Sequence, residues 1–137
     1  MSELHPIQSL RILETCLYVD NLLAARDFYR DVLRLTLVTE QLDRHVFFRC
    51  GNQMLLLFDA AASHQPGDVP THGCHGRGHL AFAASASELA EWEARLLEMG
   101  IDVEQRVEWK NGHSVYFRDP SGNSIEITSP DIWGIPD

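Results

Sequence analysis

Positive charge, cysteine and long apolar runs are all scarce in this chain, and each scarcity removes a class of function. Eleven Lys and Arg stand against 20 Asp and Glu, for a net charge of −9 over 137 residues. That balance argues against nucleic acid or an anionic membrane as partner, since both need a basic surface. The three cysteines, Cys16, Cys50 and Cys74, are odd in number and lack CxxC spacing, so no disulfide scaffold is expected and a reducing cytoplasm is the expected setting. No apolar run approaches the roughly 20 residues of a membrane span. The first ten residues have neither the basic start nor the apolar core of a signal peptide. The expectation is a soluble, cytoplasmic protein whose partner is a small molecule. With 45% hydrophobic residues, residues 1–137 can bury one core as a single domain.

What is present is organised around the stretch 113–128. Residues 114–118 and 124–128 read as strands. Between them Asp119-Pro120-Ser121-Gly122-Asn123 supplies a preset φ at proline and a permissive glycine, which is turn chemistry. Alternation puts Ile125 and Ile127 on one face and Ser124, Glu126 and Thr128 on the other. A lone glutamate there is an ordinary polar outer face of a sheet wetted on one side. It becomes a ligand candidate only if ligand-type residues occupy matching faces elsewhere.

They do, because the chain repeats itself. A strand over 11–19 sets Leu13, Leu17 and Val19 against Glu14, Cys16 and Tyr18. Asp20-Asn21 then offers cap chemistry for a helix over 22–33, and strands follow at 35–41, 44–50 and 53–58. After an Ala, Ser, His, Gly and Pro-rich loop over 60–77, the order starts again. A strand over 78–84 sets Leu80 and Phe82 against His79, Ala81 and Ala83. Ser85 or Ser87 caps a helix that Gly100 ends, and strands at 102–109, 113–118 and 123–129 follow, with Lys110-Asn111-Gly112 as a hairpin turn. The fold class is α+β: duplicated β-α-β-β-β modules, about 11–59 and 78–130, forming a concave, barrel-like mixed sheet.

The repeat allows matching positions to be compared. Phe47-Phe48-Arg49 parallels Tyr116-Phe117-Arg118, and Gly51-Asn52 parallels Gly122-Asn123, which sets Leu55 opposite Glu126. The four equivalent inward positions then hold Glu14, Leu55, His79 and Glu126. Two carboxylates and a neutral imidazole balance a divalent cation, whereas without one the carboxylates repel. This N/O set suits Mn, Fe(II), Ni, Zn or Mg, and three ligands leave positions open for water and substrate.

With its Leu17-Tyr18-Val19-Asp20-Asn21-Leu22 entry to a helix bearing Phe28-Tyr29, its Gly78-His79-Leu80-Ala81-Phe82 strand and its Tyr116 to Glu126 ending, the chain resembles the vicinal oxygen chelate superfamily over about residues 10–130. That group includes glyoxalase I, fosfomycin and bleomycin resistance proteins, and extradiol dioxygenases. The resemblance implies metal ligation by Glu14, His79 and Glu126 and assembly as a homodimer. It also implies chelation of a substrate through two vicinal oxygens, with glyoxalase-type isomerase or lyase chemistry first and Fe(II)-dependent extradiol dioxygenation second. The alternative from another class is a binding protein that sequesters a drug or metabolite. Glyoxalase-like members carry a fourth ligand in the last strand of the first module; here Gln53 is the nearest polar candidate.

Beside Glu126, His113 and Tyr116 are candidates for acid, base or orienting donor. Cys16 and Tyr18 share Glu14's face and line the pocket. The loop Thr71-His72-Gly73-Cys74-His75 either borders the cleft, leaving His72 or His75 to touch substrate, or forms a separate zinc site with His79. His5, His45 and His64 read as surface residues.

Overall fold

Each half of the chain folds into its own four-stranded sheet. The computed structural model describes residues 10–136; His5 and most of the N-terminal stretch read above lie outside the described residues. The first sheet holds β1 (Glu14–Val19), β2 (Thr36–Gln41), β3 (His45–Cys50) and β4 (Gln53–Asp59) in the order β1-β4-β3-β2. The second holds β5 (His79–Ala83), β6 (Gln105–Trp109), β7 (Gly112–Arg118) and β8 (Ser124–Thr128) in the order β5-β8-β7-β6. In both, the first strand runs parallel to the last and the other pairs are antiparallel, so the duplicated plan extends to register. The sheets do not close into a barrel: β1 and β5 are each paired on one side only.

The helices obey their end signals. Asn21 accepts the Ala24 N–H and opens α1 (Leu22–Asp27), which passes into a π-helical turn over Phe28–Val32 rather than running on as one α-helix. Asp59 caps a single turn, α2 (Ala60–Ser63), inside the stretch expected to be loop. Ser85, not Ser87, caps α3 (Ala86–Glu98) in a capping box closed by Glu88. A 3-10 turn over Pro130–Trp133 follows, with Trp133 78% exposed. Among the described residues no helix is long and apolar enough to cross a membrane.

One core lies between the two inner sheet faces and the helices. Leu17, Val46, Phe48 and Leu57 of the first sheet meet Val115, Phe117, Ile125 and Ile127 of the second, with Tyr29, Leu89 and Leu96 from the helical layer. At its edge a buried polar knot ties the halves together. The Asp119 carboxylate accepts Tyr29 OH (2.8 Å), Asn123 Nδ2 (2.9 Å) and the backbone N–H groups of Ser121 and Asn123 (3.0 and 2.9 Å). Asn123 also donates to the Tyr18 carbonyl and accepts Gly78 N–H at 2.7 Å. Every polar atom of the knot is matched, as burial requires.

The register corrects one equivalence between the repeats. Glu14 pairs with Met54 and Cys16 with Leu56, while His79 pairs with Ser124 and Ala81 with Glu126. Glu126's counterpart is therefore Leu56, and Leu55 points into the core at 2% exposure. Aligning Gly51-Asn52 with Gly122-Asn123 slips the strand by one residue: the first hairpin pairs Cys50 with Gln53 across a two-residue loop, whereas Arg118 pairs with Ser124 across a five-residue one. A one-residue slip exchanges the faces.

Candidate functional site

On the outer face of the second sheet, β5, β7 and β8 bring His79, Tyr116 and Glu126 together. His79 Nδ1 lies 3.0 Å from the Ser124 carbonyl, which can only accept, so Nδ1 carries the proton. Its Nε2 then faces Glu126 Oε1 at 3.2 Å. The other carboxylate oxygen, Oε2, accepts the Ser114 hydroxyl at 2.5 Å, and Ser114 accepts the Trp109 indole N–H at 2.8 Å. Thr128 Oγ1 stands 2.8 Å from the same Ser114 oxygen. Glu126 is 6% exposed, so its carboxylate is held rigidly with one oxygen committed and one turned to His79. In the neutral ring two lone-pair donors thus face each other across a gap that a cation or a shared proton must fill.

Tyr116 stacks beside His79, ring centroids 6.2 Å apart, and is the cross-strand partner of Glu126. Burial, and then the Glu126 charge, raise its pKa, so it stands as a neutral donor at physiological pH.

The outer face of the first sheet is different in kind. It floors a cleft of about 900 Å³ that Glu14, Cys16 and Tyr18 enter from β1, with Phe47 and His45 from β3 and Leu56 and Phe58 from β4. His72 closes one side. Its backbone N–H donates to the Ser63 carbonyl and its carbonyl accepts Ser63 Oγ at 2.6 Å, so the loop is pinned here by α2. The His72 ring stands edge-on to Phe58 and its Nδ1 meets Tyr18 OH at 2.7 Å. Burial and the nearby thiols of Cys16 and Cys74 push Tyr18 up, and burial followed by the Glu14 charge pushes Cys16 up. Cys16 is therefore a thiol that lines the cleft, not an activated nucleophile.

Several candidates fall elsewhere. Glu14 does not join His79 and Glu126: among the described residues no group of three or more His, Cys, Asp or Glu is placed to hold one metal. The same fact gives no support to a zinc site built from His72, Cys74, His75 and His79. His113 projects from the opposite face of β7, its Nε2 3.2 Å from Glu93 Oε1 on α3, because it is three residues from Tyr116 and strand faces alternate. Gln53 shares the core-side parity of Leu55 and Leu57 and lines a separate groove near Ala81 and Phe82. His75 lines a neighbouring hollow with Asp20, Arg77 and Ser121. His45, expected at the surface, is half-buried and stacked on Phe47 at 4.1 Å, with Nδ1 enclosed and unpartnered. Burial, then Arg44, lowers its pKa. Ser114, which holds Glu126, was the residue missed; its spacing of two from Tyr116 was the available signal.

Residues 11–127 match the family model described as the Glyoxalase/Bleomycin resistance protein/Dioxygenase superfamily. A crystal structure of lactoylglutathione lyase from Agrobacterium tumefaciens is 43% identical, with a TM-score of 0.89, covering 96% of this chain and 100% of that one. A glyoxalase/bleomycin resistance protein/dioxygenase from Nocardioides shares the fold at 24% identity and a TM-score of 0.71, covering 90% of this chain and 85% of that one. The metallothiol transferase FosB of Staphylococcus saprophyticus is 28% identical over 104 residues, a match spanning 74% of this chain and 64% of that protein. For the FosB of Shouchella clausii the match is 42% identical and covers 36% of each chain.

Proposed function

We infer the function from one premise: the chain belongs to the Glyoxalase/Bleomycin resistance protein/Dioxygenase superfamily. We propose that it is a divalent-metal-dependent enzyme acting on a small substrate that presents two vicinal oxygens, with lyase or isomerase chemistry of the glyoxalase type. The observation that carries this is the facing pair His79 Nε2 and Glu126 Oε1, 3.2 Å apart, each with its second polar atom already committed. Such outer hydrogen bonds are how proteins orient metal ligands. The full-length likeness to a lactoylglutathione lyase favours the glyoxalase type over dioxygenation and over sequestration.

His79 and Glu126 would hold the metal together with Glu14. When bound, the metal supplies Lewis acidity that stabilises an oxyanion on the substrate. The chain's own residues do the rest: Ser114 fixes the Glu126 carboxylate, Tyr116 presents a neutral phenol beside it, and the first-sheet cleft excludes water from the substrate's remainder. Because Glu14 stands on the other sheet, the site is completed by a second copy, the β1 face of one chain meeting the β5 and β8 face of its partner. Subunit mixing tests this. Glu14→Ala and Glu126→Ala are each expected to be inactive, whereas an equimolar mixture after subunit exchange recovers about a quarter of wild-type activity, since half the dimers hold one intact site of two. No recovery after verified exchange would place the site within one chain.

Loosening the carboxylate gives a milder effect. Ser114→Ala is expected to weaken metal affinity about ten- to a hundredfold, measured by competition with a chromophoric chelator. Unchanged affinity would deny Ser114 this positioning role.

A further inference from the structure

The two sheets' outer faces divide the work of one site, and the apolar half identifies a class of substrate. In the second repeat the face is small and polar, with Ala81 and Ala83 beside His79, Glu126 and Tyr116. In the first, Leu56 replaces the ligand position, and the cleft is walled by the rings of Tyr18, His45, Phe47, Phe58 and His72. These rings pack in register with one another: His45 stacks on Phe47, and Phe58 stands edge-on to Phe47 and His72 at 5.5 and 4.5 Å. The wall is preformed, because His72 is pinned by Ser63 and by Tyr18. At about 900 Å³ the cleft has the capacity of a drug-sized pocket, far beyond a three-carbon chelating group. Arg44 is its single lining cation, set against Glu14 and Asp68 and already donating to the Ala62 carbonyl, so the cleft does not suit a polyanionic occupant.

Glu14 is both a wall of this cleft and the third candidate ligand, so a substrate chelated there directs its remainder among the rings. We propose that the cleft receives an aromatic ring of the substrate, making this a metal enzyme for vicinal-oxygen compounds that carry an aryl group next to the chelating atoms. Aromatic faces and edges give such a ring stacked and edge-on partners beyond simple burial. The proposal rests on the chelation reading above.

The test uses two hydroxamates with the same pair of vicinal oxygens, mandelohydroxamate with a phenyl group and lactohydroxamate with a methyl group, titrated calorimetrically into the full chain loaded with its metal. The phenyl compound is expected to bind at least about tenfold more tightly. Phe47→Ala, at a half-buried position, should cut that advantage to about threefold and leave lactohydroxamate binding unchanged. His72→Ala provides a second reading of the same wall should Phe47→Ala fold poorly. Equal affinity of the two compounds for the wild type overturns the aryl assignment and leaves chelation standing. Failure of both to bind the metal-loaded chain overturns chelation, and the assignment with it.

Discussion

Glu126→Ala is expected to abolish bound metal and to lower kcat/KM by about a thousandfold or more, the scale of losing a charged group that contacts the reacting centre. Glu126 is 6% exposed, and among the described residues it is the one carboxylate beside His79 on the outer face of the second sheet. His79→Ala should do the same. Elemental analysis of protein purified without chelator or affinity tag measures the first effect, about one metal per chain in the wild type and none in either variant. Glu126→Gln separates charge from shape: its single amide oxygen can accept from Ser114 or face the cation, not both, so affinity falls while the fold is retained. Added metal should raise the melting temperature of the wild type and leave that of Glu126→Ala unchanged. Full metal content and activity in Glu126→Ala would sink the reading.

Asp119→Ala is expected to cost about 3 kcal/mol or more, the scale of leaving several buried donors without an acceptor. Tyr29 OH, Asn123 Nδ2 and two backbone N–H groups lose their common partner at once. For a chain of this size that is a fall of roughly 10 °C in Tm. In urea the midpoint should drop with the slope unchanged. Tyr29→Phe removes one hydrogen bond and leaves the carboxylate three others, so its loss should be about 1 kcal/mol. A drop of similar size in both variants would show that the carboxylate is not the centre of the knot.

Much of this was legible in the residues, and what was not has identifiable causes. Strand alternation put Glu126 opposite Ile125 and Ile127, and a capping serine, Ser85 or Ser87, marked the start of α3, which the structure resolves to Ser85. The duplication was legible because both copies keep the same order of elements. The same alternation, carried two and three residues back from Tyr116, separates Ser114 from His113; the imidazole attracted the assignment that parity denies it. Leu56 was hidden because the two hairpins differ in loop length, and local sequence likeness follows the Gly-Asn pair rather than the ladder. The π-helical turn at Phe28–Val32 left no mark in a spacing that suits an α-helix equally well. The grip of Ser63 on His72 spans a non-periodic loop, where no pattern in sequence reports a long-range hydrogen bond. The separation of Glu14 from His79 and Glu126 is a matter of how two sheets are disposed, which the period within a strand does not encode.

Leu56 at the position of Glu126 also bears on how such a protein can diverge. With an apolar residue at that point, side-chain volume on the outer face of the first sheet can change without disturbing a charge. Random libraries at Phe47, Leu56 and His72 should therefore yield many folded variants with altered ligand preference. Libraries at Ser114, Tyr116 and Glu126 should yield few functional ones.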